Sequence, residues 1–106
     1  MRDAIHRELE NGGLIIDTRN YYVGAVSGET PGGQIKYMRP LFNDKNCVWE
    51  LKKCKNHSAN VIKSTIEDVE HFIRSVVADG YANFSDDEND IAELLEKLNE
   101  MTHERN

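Results

Sequence analysis

The chain has 106 residues, a formal net charge of −6 and a hydrophobic fraction of 39%. This length suffices for one hydrophobic core, so we expect a single domain spanning 1–106. The charged residues near Met1 do not match the apolar core of a signal peptide, so we expect none, and no run of apolar residues is long enough for a transmembrane helix. We therefore expect a soluble, cytoplasmic protein in which Cys47 and Cys54 are reduced thiols.

The charges are distributed unevenly along the chain. Residues 1–33 have a net charge of −2, whereas residues 34–63 contain seven basic and two acidic side chains, a net charge of +5. Residues 64–106 have a net charge of −9. This pattern predicts a positive and a negative surface, provided that the two segments do not neutralise each other in the folded protein.

The first two thirds of the chain predict one helix followed by strands. Residues 2–10 contain charged helix formers ahead of Gly12, which predicts a short N-terminal helix. Three β-forming segments follow at 14–28, 34–42 and 47–54, which predicts a three-stranded antiparallel meander. A short extra strand is expected near Val61.

The alternation of side chains in the second and third strands predicts which faces are buried. The third strand has the clearer period of two and is the better candidate for the sheet interior. Its predicted buried face consists of Cys47, Trp49 and Leu51. In the second strand, Pro40 lacks a backbone donor, so we expect the strand to end or to lie at an edge there. One side of that second strand is lined by Ile35, Tyr37 and Leu41.

The last third of the chain predicts two helices. Ser64 begins a capping-box pattern ahead of a helix over 65–79 that ends at Gly80. Ser85 and Glu88 repeat the pattern ahead of a helix whose apolar stripe is Ile91, Leu94, Leu95, Leu98 and Met101. The expected fold class is α+β, with the short N-terminal helix, the three-stranded meander and two C-terminal helices packed on one face of the sheet.

Metal binding is not expected from the motifs present. The stretch 78–87 resembles the second half of an EF-hand loop around Gly80, but Val77 occupies a ligand position and has no oxygen to offer. The stretch instead predicts a helix connection in which Tyr81 and Phe84 are packing anchors. A second candidate set, Cys47, Cys54, His57 and His71, lacks the spacing of a zinc site. We expect neither a metal nor a cofactor.

Catalysis has no local signature either, so we expect a protein that is not an enzyme. The least implausible nucleophile is Cys54, because neighbouring Lys52, Lys53 and Lys55 favour a lowered thiol pKa. The alternative interpretation of Cys54 is a plain, solvent-exposed thiol.

The acidic C-terminal segment favours a protein-interaction module. We expect it to engage a basic partner protein, including one that binds nucleic acid, as an inhibitor or regulator. The residues expected to form the acidic surface are Asp79, Asp86, Asp90, Glu93, Glu96 and Glu100, and the expected anchors are Tyr81 and Phe84.

Two alternatives remain open. One is nucleic-acid binding through the basic, aromatic-bearing strands over 34–63, with Lys36, Arg39, Lys52, Lys53 and Lys55 as the contact residues. The predicted order of elements resembles the double-stranded-RNA-binding domain, but Glu67, Asp68 and Glu70 stand where that family has lysines. The other is a homodimer through a seam formed by Ile91, Leu94, Leu98 and Met101, although two heptads are few and docking of this stripe onto the sheet is the favoured use.

Overall fold

The computed structural model describes residues 1–81 and 83–103, except for the side chain of His103. Its strands are β1 (Leu14–Asp17), β2 (Tyr22–Glu29), β3 (Gln34–Asn43), β4 (Val48–His57) and β5 (Val61–Lys63), and its helices are α1 (Ile66–Ala78) and α2 (Glu88–His103). The strands form one antiparallel sheet in the order β4-β3-β2-β1-β5. The fold is therefore α+β, as expected, but the sheet has five strands.

The two helices pack on one face of the sheet, which confirms that part of the prediction. Helix α1 lies over β1, and α2 lies over β2 and β3. The core on this side consists of Leu14, Ile16, Val23, Ala25, Val69, Ile73, Ile91, Leu98 and Met101. Neither helix is long and apolar enough to cross a membrane, within the part of the chain that is described.

The helix ends differ by one or two residues from the predicted caps. The side chain of Thr65 accepts a hydrogen bond from the Asp68 N–H, and the Asp68 carboxylate accepts one from the Thr65 N–H, so the capping box begins one residue later than expected. At α2 the side chain of Asp87 accepts hydrogen bonds from Asn89 and Asp90. Asp87 thus fills the capping role predicted for Ser85.

The predicted N-terminal helix is wrong, because a buried carboxylate folds this segment into a turn. Asp3 is only 3% exposed, and its side chain accepts hydrogen bonds from the backbone N–H groups of Ile5 and Arg7. An aspartate that bonds to nearby backbone offers the chain an alternative to helical pairing. His6 accordingly has a φ of 65°, and Arg2 pairs with Glu8 as an antiparallel bridge.

This N-terminal segment covers the outer edge of β5. The Lys63 N–H donates to the Asp3 carboxylate at 2.9 Å, and the Ala4 N–H donates to the Val61 carbonyl at 2.8 Å. The Arg7 guanidinium donates to the Lys63 carbonyl at 2.7 Å. The short extra strand predicted near Val61 is confirmed as β5, and its free side is closed by residues far away in the sequence.

The first predicted strand is divided into β1 and β2 by a turn over residues 18–21. The Asp17 carboxylate accepts hydrogen bonds from the backbone N–H groups of Arg19 and Asn20, which stabilises the turn, and Tyr21 takes a φ of 59°. The predicted three-stranded meander therefore becomes four consecutive antiparallel strands, with β5 added beside β1.

A second core lies on the opposite face of the sheet, beneath the N-terminal segment. Its buried residues are Leu9, Ile15, Val26, Ile35, Tyr37 and Val61. The Tyr37 hydroxyl donates to the fully buried Asp17 carboxylate at 2.7 Å. The Asn56 amide also donates to both oxygens of Asp17 at 3.0 Å, so this buried charge is well solvated by the protein.

The third predicted strand, β4, lies at the edge of the sheet and not in its interior. Cys47 is exposed in the turn before β4 with a φ of 53°, and Leu51 is 42% exposed, so the predicted buried face is wrong. Alternation identifies the two faces of a strand, but it does not reveal whether another element covers them. Strand β3 does not end at Pro40, although its pairing with β2 ends at Met38 and it pairs only with β4 from there.

Candidate functional site

Strands β3 and β4 form a long hairpin in one continuous register. Met38, which packs against the helix-side core, is directly opposite Lys53. Because side chains two residues apart share a face, the same face carries the pairs Pro40–Leu51 and Phe42–Trp49 toward the hairpin turn. In the other direction it carries the pair Lys36–Lys55. One face of the hairpin is thus aromatic at one end and basic at the other.

A cleft of about 520 Å³ opens between the aromatic end of this face and the N-terminal half of α2. We call it the aromatic-acidic cleft. Its apolar lining includes Pro40, Phe42, Trp49, Phe84 and Leu94, and its carboxylates are Asp44, Asp90 and Glu93. A volume of this size accommodates a long side chain or a short peptide segment.

The aromatic rings of the cleft are held from two directions. Phe42 and Trp49 pack edge to face with their centroids 5.5 Å apart, and Phe42 remains 44% exposed. On the opposite wall, Phe84 packs edge to face on Phe72 at 6.4 Å and is half-buried in the helix-side core. The rings are therefore positioned by the fold while part of their surface still faces solvent.

The carboxylates of the cleft are available to an incoming group. Asp90 accepts a hydrogen bond from the Ser85 hydroxyl at 2.7 Å, which fixes its orientation. Among residues 1–81 and 83–103, no ion pair engages Asp44, Asp90 or Glu93. Arg39 also lines the cleft, so the three carboxylates of the cleft outnumber its basic side chains by two, and together with the aromatic faces they favour a cation.

The structure brings together some of the predicted acidic-surface residues and separates others. Phe84, Asp90 and Glu93 line the cleft. The remaining residues of the predicted surface are exposed but lie outside it: Asp79, Asp86, Glu96 and Glu100. Tyr81 stacks on Tyr21 with centroids 4.5 Å apart, also outside the cleft.

Sequence reasoning missed the hairpin's contribution to this cleft. Trp49 was assigned to a buried face, and Phe42 and Asp44 were given no role. The available signal was the pairing of Phe42 with Trp49, which follows from the hairpin register once the turn at 44–47 is placed. Nothing in the sequence shows that the N-terminal half of α2 lies across a cleft from these residues.

The five predicted basic contact residues are divided between the two faces of the hairpin. Lys36, Lys53 and Lys55 share the helix-side face and line a hollow of about 490 Å³. We call these three residues the lysine cluster. On the opposite face, the Arg39 guanidinium lies 3.6 Å from the centre of the Tyr22 ring, and Lys52 pairs with Glu50 at 3.5 Å. The five residues therefore do not form one surface.

The lysine cluster is not neutralised by ion pairs within the described residues. Lys36 and Lys55 are direct cross-strand partners, an arrangement in which like charges repel. In the described part of the chain, the ion pairs do not include Lys36, Lys53 or Lys55, and none joins β4 to α2. The positive strand end and the negative helix are thus separate surfaces.

The structure gives no support to a reactive thiol at Cys54. Its side chain packs against the core opposite the helices, on the face away from Lys53 and Lys55. Burial raises the pKa of the Cys54 thiol, whereas the sequence favoured a lowered pKa. Within the described residues, there is no cluster of three or more histidine, cysteine, aspartate or glutamate side chains able to hold a metal ion.

Comparisons of the chain with protein-family models, with curated proteins and with solved structures find no match.

Proposed function

We propose that this protein is a small interaction module that binds a basic segment of another protein in the aromatic-acidic cleft. The observation that carries the proposal is the juxtaposition of aromatic rings from the β3–β4 hairpin with carboxylates from α2 in one cleft. By covering basic residues that the partner needs for its own contacts, the module acts as an inhibitor or regulator of that partner.

An arginine side chain fits this cleft better than a lysine side chain does. Its planar guanidinium stacks on aromatic rings and forms two parallel hydrogen bonds with a carboxylate. A cation over an aromatic face contributes about 0.5 to 2 kcal/mol, with the larger value in partly desolvated sites. Phe42 and Trp49 provide the rings, and Glu93 provides a carboxylate on the opposite wall.

The single tryptophan of the chain makes the proposal directly testable, because Trp49 lies in the cleft. We expect titration with a blocked tri-arginine peptide to change Trp49 fluorescence in a saturable manner, and a blocked tri-glutamate peptide to have no effect. The affinity for tri-arginine should fall as salt rises, because the carboxylates of the cleft are open to solvent.

Matched variants locate the binding. Glu93→Gln should weaken tri-arginine binding several-fold, whereas Glu96→Gln removes the same charge from an exposed position of α2 outside the cleft and should leave it within about twofold. Equal effects of the two variants, or equal binding of both peptides, would show that the cleft does not select a basic segment.

A second candidate function is the binding of single-stranded nucleic acid along the same hairpin face. The observation in its favour is the lysine cluster, which lies on the face that also carries Phe42 and Trp49. Aromatic rings that stack on bases and lysines that contact phosphates are the usual combination in such sites. Against it, Asp44 and Glu93 repel phosphates at the aromatic end.

Fluorescence anisotropy with a labelled oligothymidine distinguishes the two functions. If nucleic acid is the ligand, the affinity should decrease steeply between low and moderate salt, and Lys53→Glu should weaken it more than Lys45→Glu does. If the protein binds tri-arginine but not the oligonucleotide, the first proposal holds and the second does not.

A further inference from the structure

One edge strand of the sheet, β5, is covered by another segment of the chain, whereas the other edge strand, β4, is paired on its inner side alone within the described residues. The β5 edge is covered by the N-terminal segment through hydrogen bonds to Val61 and Lys63. The β4 edge, over Val48–His57, pairs with β3 on one side and with no described strand on the other. A ten-residue edge strand with free backbone donors and acceptors is a template for pairing with another strand.

The side chains of β4 form a complementary pattern around Leu51. Glu50 precedes Leu51 and Lys52 follows it, so that residues of opposite charge flank it. Two residues from Leu51 along the chain, Trp49 lies on the N-terminal side and Lys53 on the C-terminal side. An antiparallel pair of identical strands brings together residues at equal distances on either side of its centre.

We propose that two copies of this protein pair their β4 edges antiparallel about a twofold axis at Leu51, which joins their sheets into one. In this register, Glu50 of each copy opposes Lys52 of the other, and Trp49 opposes Lys53. Leu51 opposes its own equivalent. The Glu50–Lys52 and Trp49–Lys53 contacts each occur twice, and the Leu51 contact on the axis occurs once. Each is of a type that stabilises neighbouring strands: an opposite-charge pair, a cation over an aromatic ring, and an apolar pair.

The exposure of these residues agrees with the proposal. Leu51 is 42% exposed, and the Glu50–Lys52 pair within one chain is open to solvent, with side-chain exposures of 38% and 57%. The opposing strand of a second copy would cover Leu51 and extend this pair into a four-charge network of alternating sign.

Neighbouring registers are less favourable. An axis at Lys52 places that lysine opposite its own equivalent, and an axis at Lys53 does the same for Lys53. Like charges directly opposite each other on adjacent strands are destabilising. A shift by one residue along one strand alone turns its side chains to the other face and breaks the match. The charge pattern therefore selects Leu51 as the centre.

This inference shares Trp49 with the proposed binding of a basic segment, because Trp49 lines the cleft and also lies on β4. The two proposals remain distinguishable, since Asp90 and Glu93 lie on α2 and take no part in the paired edges, whereas Glu50 and Lys52 lie outside the cleft. Glu93→Gln should therefore weaken tri-arginine binding and leave self-association unchanged.

Sedimentation equilibrium of two charge variants tests the register. In Glu50→Lys, both flanking positions of each copy become positive, and in Lys52→Glu both become negative. We expect the unaltered protein to form dimers, and each variant alone to have a dimer dissociation constant at least about tenfold higher, since two attractive pairs become repulsive. An equimolar mixture of the two variants should regain dimers, because their edges are again complementary.

The control variant is Glu96→Lys, which reverses an exposed charge on α2 and should leave the dimer unchanged. Circular dichroism and urea unfolding establish that each variant is folded. A protein that remains monomeric up to its highest soluble concentration would overturn the proposal. So would a mixture of the two variants that associates no better than each variant alone.

Cross-linking provides a second, independent measurement. In a background where Cys47 and Cys54 are replaced by serine, Leu51→Cys should form an intermolecular disulfide on mild oxidation, since directly opposed Cα atoms on antiparallel strands lie about 4.5 to 5.5 Å apart. Lys53→Cys in the same background should cross-link far less, because its opposite residue is Trp49. Efficient cross-linking of Lys53→Cys instead would place the axis elsewhere and contradict the charge argument.

Discussion

The buried hydroxyl of Tyr37 offers a sharp test of what stabilises the sheet. Tyr37 is fully buried, and its hydroxyl donates to the buried Asp17 carboxylate at 2.7 Å. Tyr37→Phe removes this hydrogen bond with little change of shape. Hydrogen bonds to charged groups contribute about 1.5 to 3 kcal/mol to stability. Because Asn20 and Asn56 still donate to Asp17, we expect a loss near the lower end, about 1.5 kcal/mol.

Urea unfolding measures this loss. With a urea dependence of about 2 kcal/mol per molar, the midpoint should fall by about 0.7 M without a change in slope. The matched control is Tyr22→Phe, which removes a hydroxyl that forms no hydrogen bond within the described residues and keeps the ring beneath Arg39. We expect its midpoint to change little. If the two variants unfold at the same urea concentration, the hydrogen bond to Asp17 does not contribute as argued.

The same residue links stability to alkaline pH. Burial, together with the hydrogen bond to Asp17 and its negative charge, raises the pKa of Tyr37 well above its ordinary value of 10.0. The unfolded chain therefore loses the Tyr37 proton near pH 10 while the folded protein retains it. This contribution to stability is complete below pH 10 and decreases as the pH rises further. The stability difference between the unaltered protein and Tyr37→Phe should shrink accordingly, and a constant difference would contradict the assignment.

Three further predictions follow from packing and burial. Gly24→Ala should destabilise the protein by about 3 kcal/mol in urea unfolding, because the added Cβ would overlap the backbone carbonyl oxygen of Met38; a loss below about 1 kcal/mol would show that the strands can separate locally. Burial raises the pKa of Asp3, but its hydrogen bonds to backbone N–H groups and to Arg7 lower the pKa by a larger amount, so the net shift is downward. Asp3→Asn should therefore lower the free energy of unfolding at neutral pH. This loss should disappear as the pH falls below 3.8 and through the pKa of Asp3 in the folded protein. Cys47, which is exposed, should react with a thiol reagent well before Cys54, whose burial raises its pKa; equal rates would contradict the placement of Cys54.

The sequence predicts the two C-terminal helices to within one or two residues at their N-caps, because their signals are local. The apolar stripe of α2 and the capping residues of both helices lie within a few positions of each other, and Ile91, Leu98 and Met101 pack into the core of the protomer, as docking of this stripe onto the sheet requires. With these side chains buried, they do not form an exposed dimer seam. Leu94 is partly buried and contributes to the cleft instead.

The errors arose where a distant residue decides the local structure. The segment 2–10 has the composition of a helix, but the Asp3 carboxylate accepts a hydrogen bond from the backbone N–H of Lys63, sixty residues away. Asp17 likewise ends β1 by turning the chain, and it is stabilised in the interior by Tyr37 and Asn56. Periodicity within a segment carries no information about such partners.

The candidate site was only partly predictable for the same reason. Asp90, Glu93 and Phe84 were expected to bind a partner on the basis of charge and position in the sequence. Their placement opposite Phe42 and Trp49 depends on how far α2 extends across the sheet, which no local pattern specifies. The prediction of separate positive and negative segments remains consistent with the ion pairs of the described residues.

The closure of the β5 edge limits how this molecule can assemble. A sheet with two available edges can add copies indefinitely and grow into a filament, whereas a sheet with a single available edge has no further site once that edge is occupied. The turn built on Asp3 therefore has an effect beyond the stability of one domain. It terminates growth by strand addition at a finite assembly and protects the protein against fibrillar aggregation.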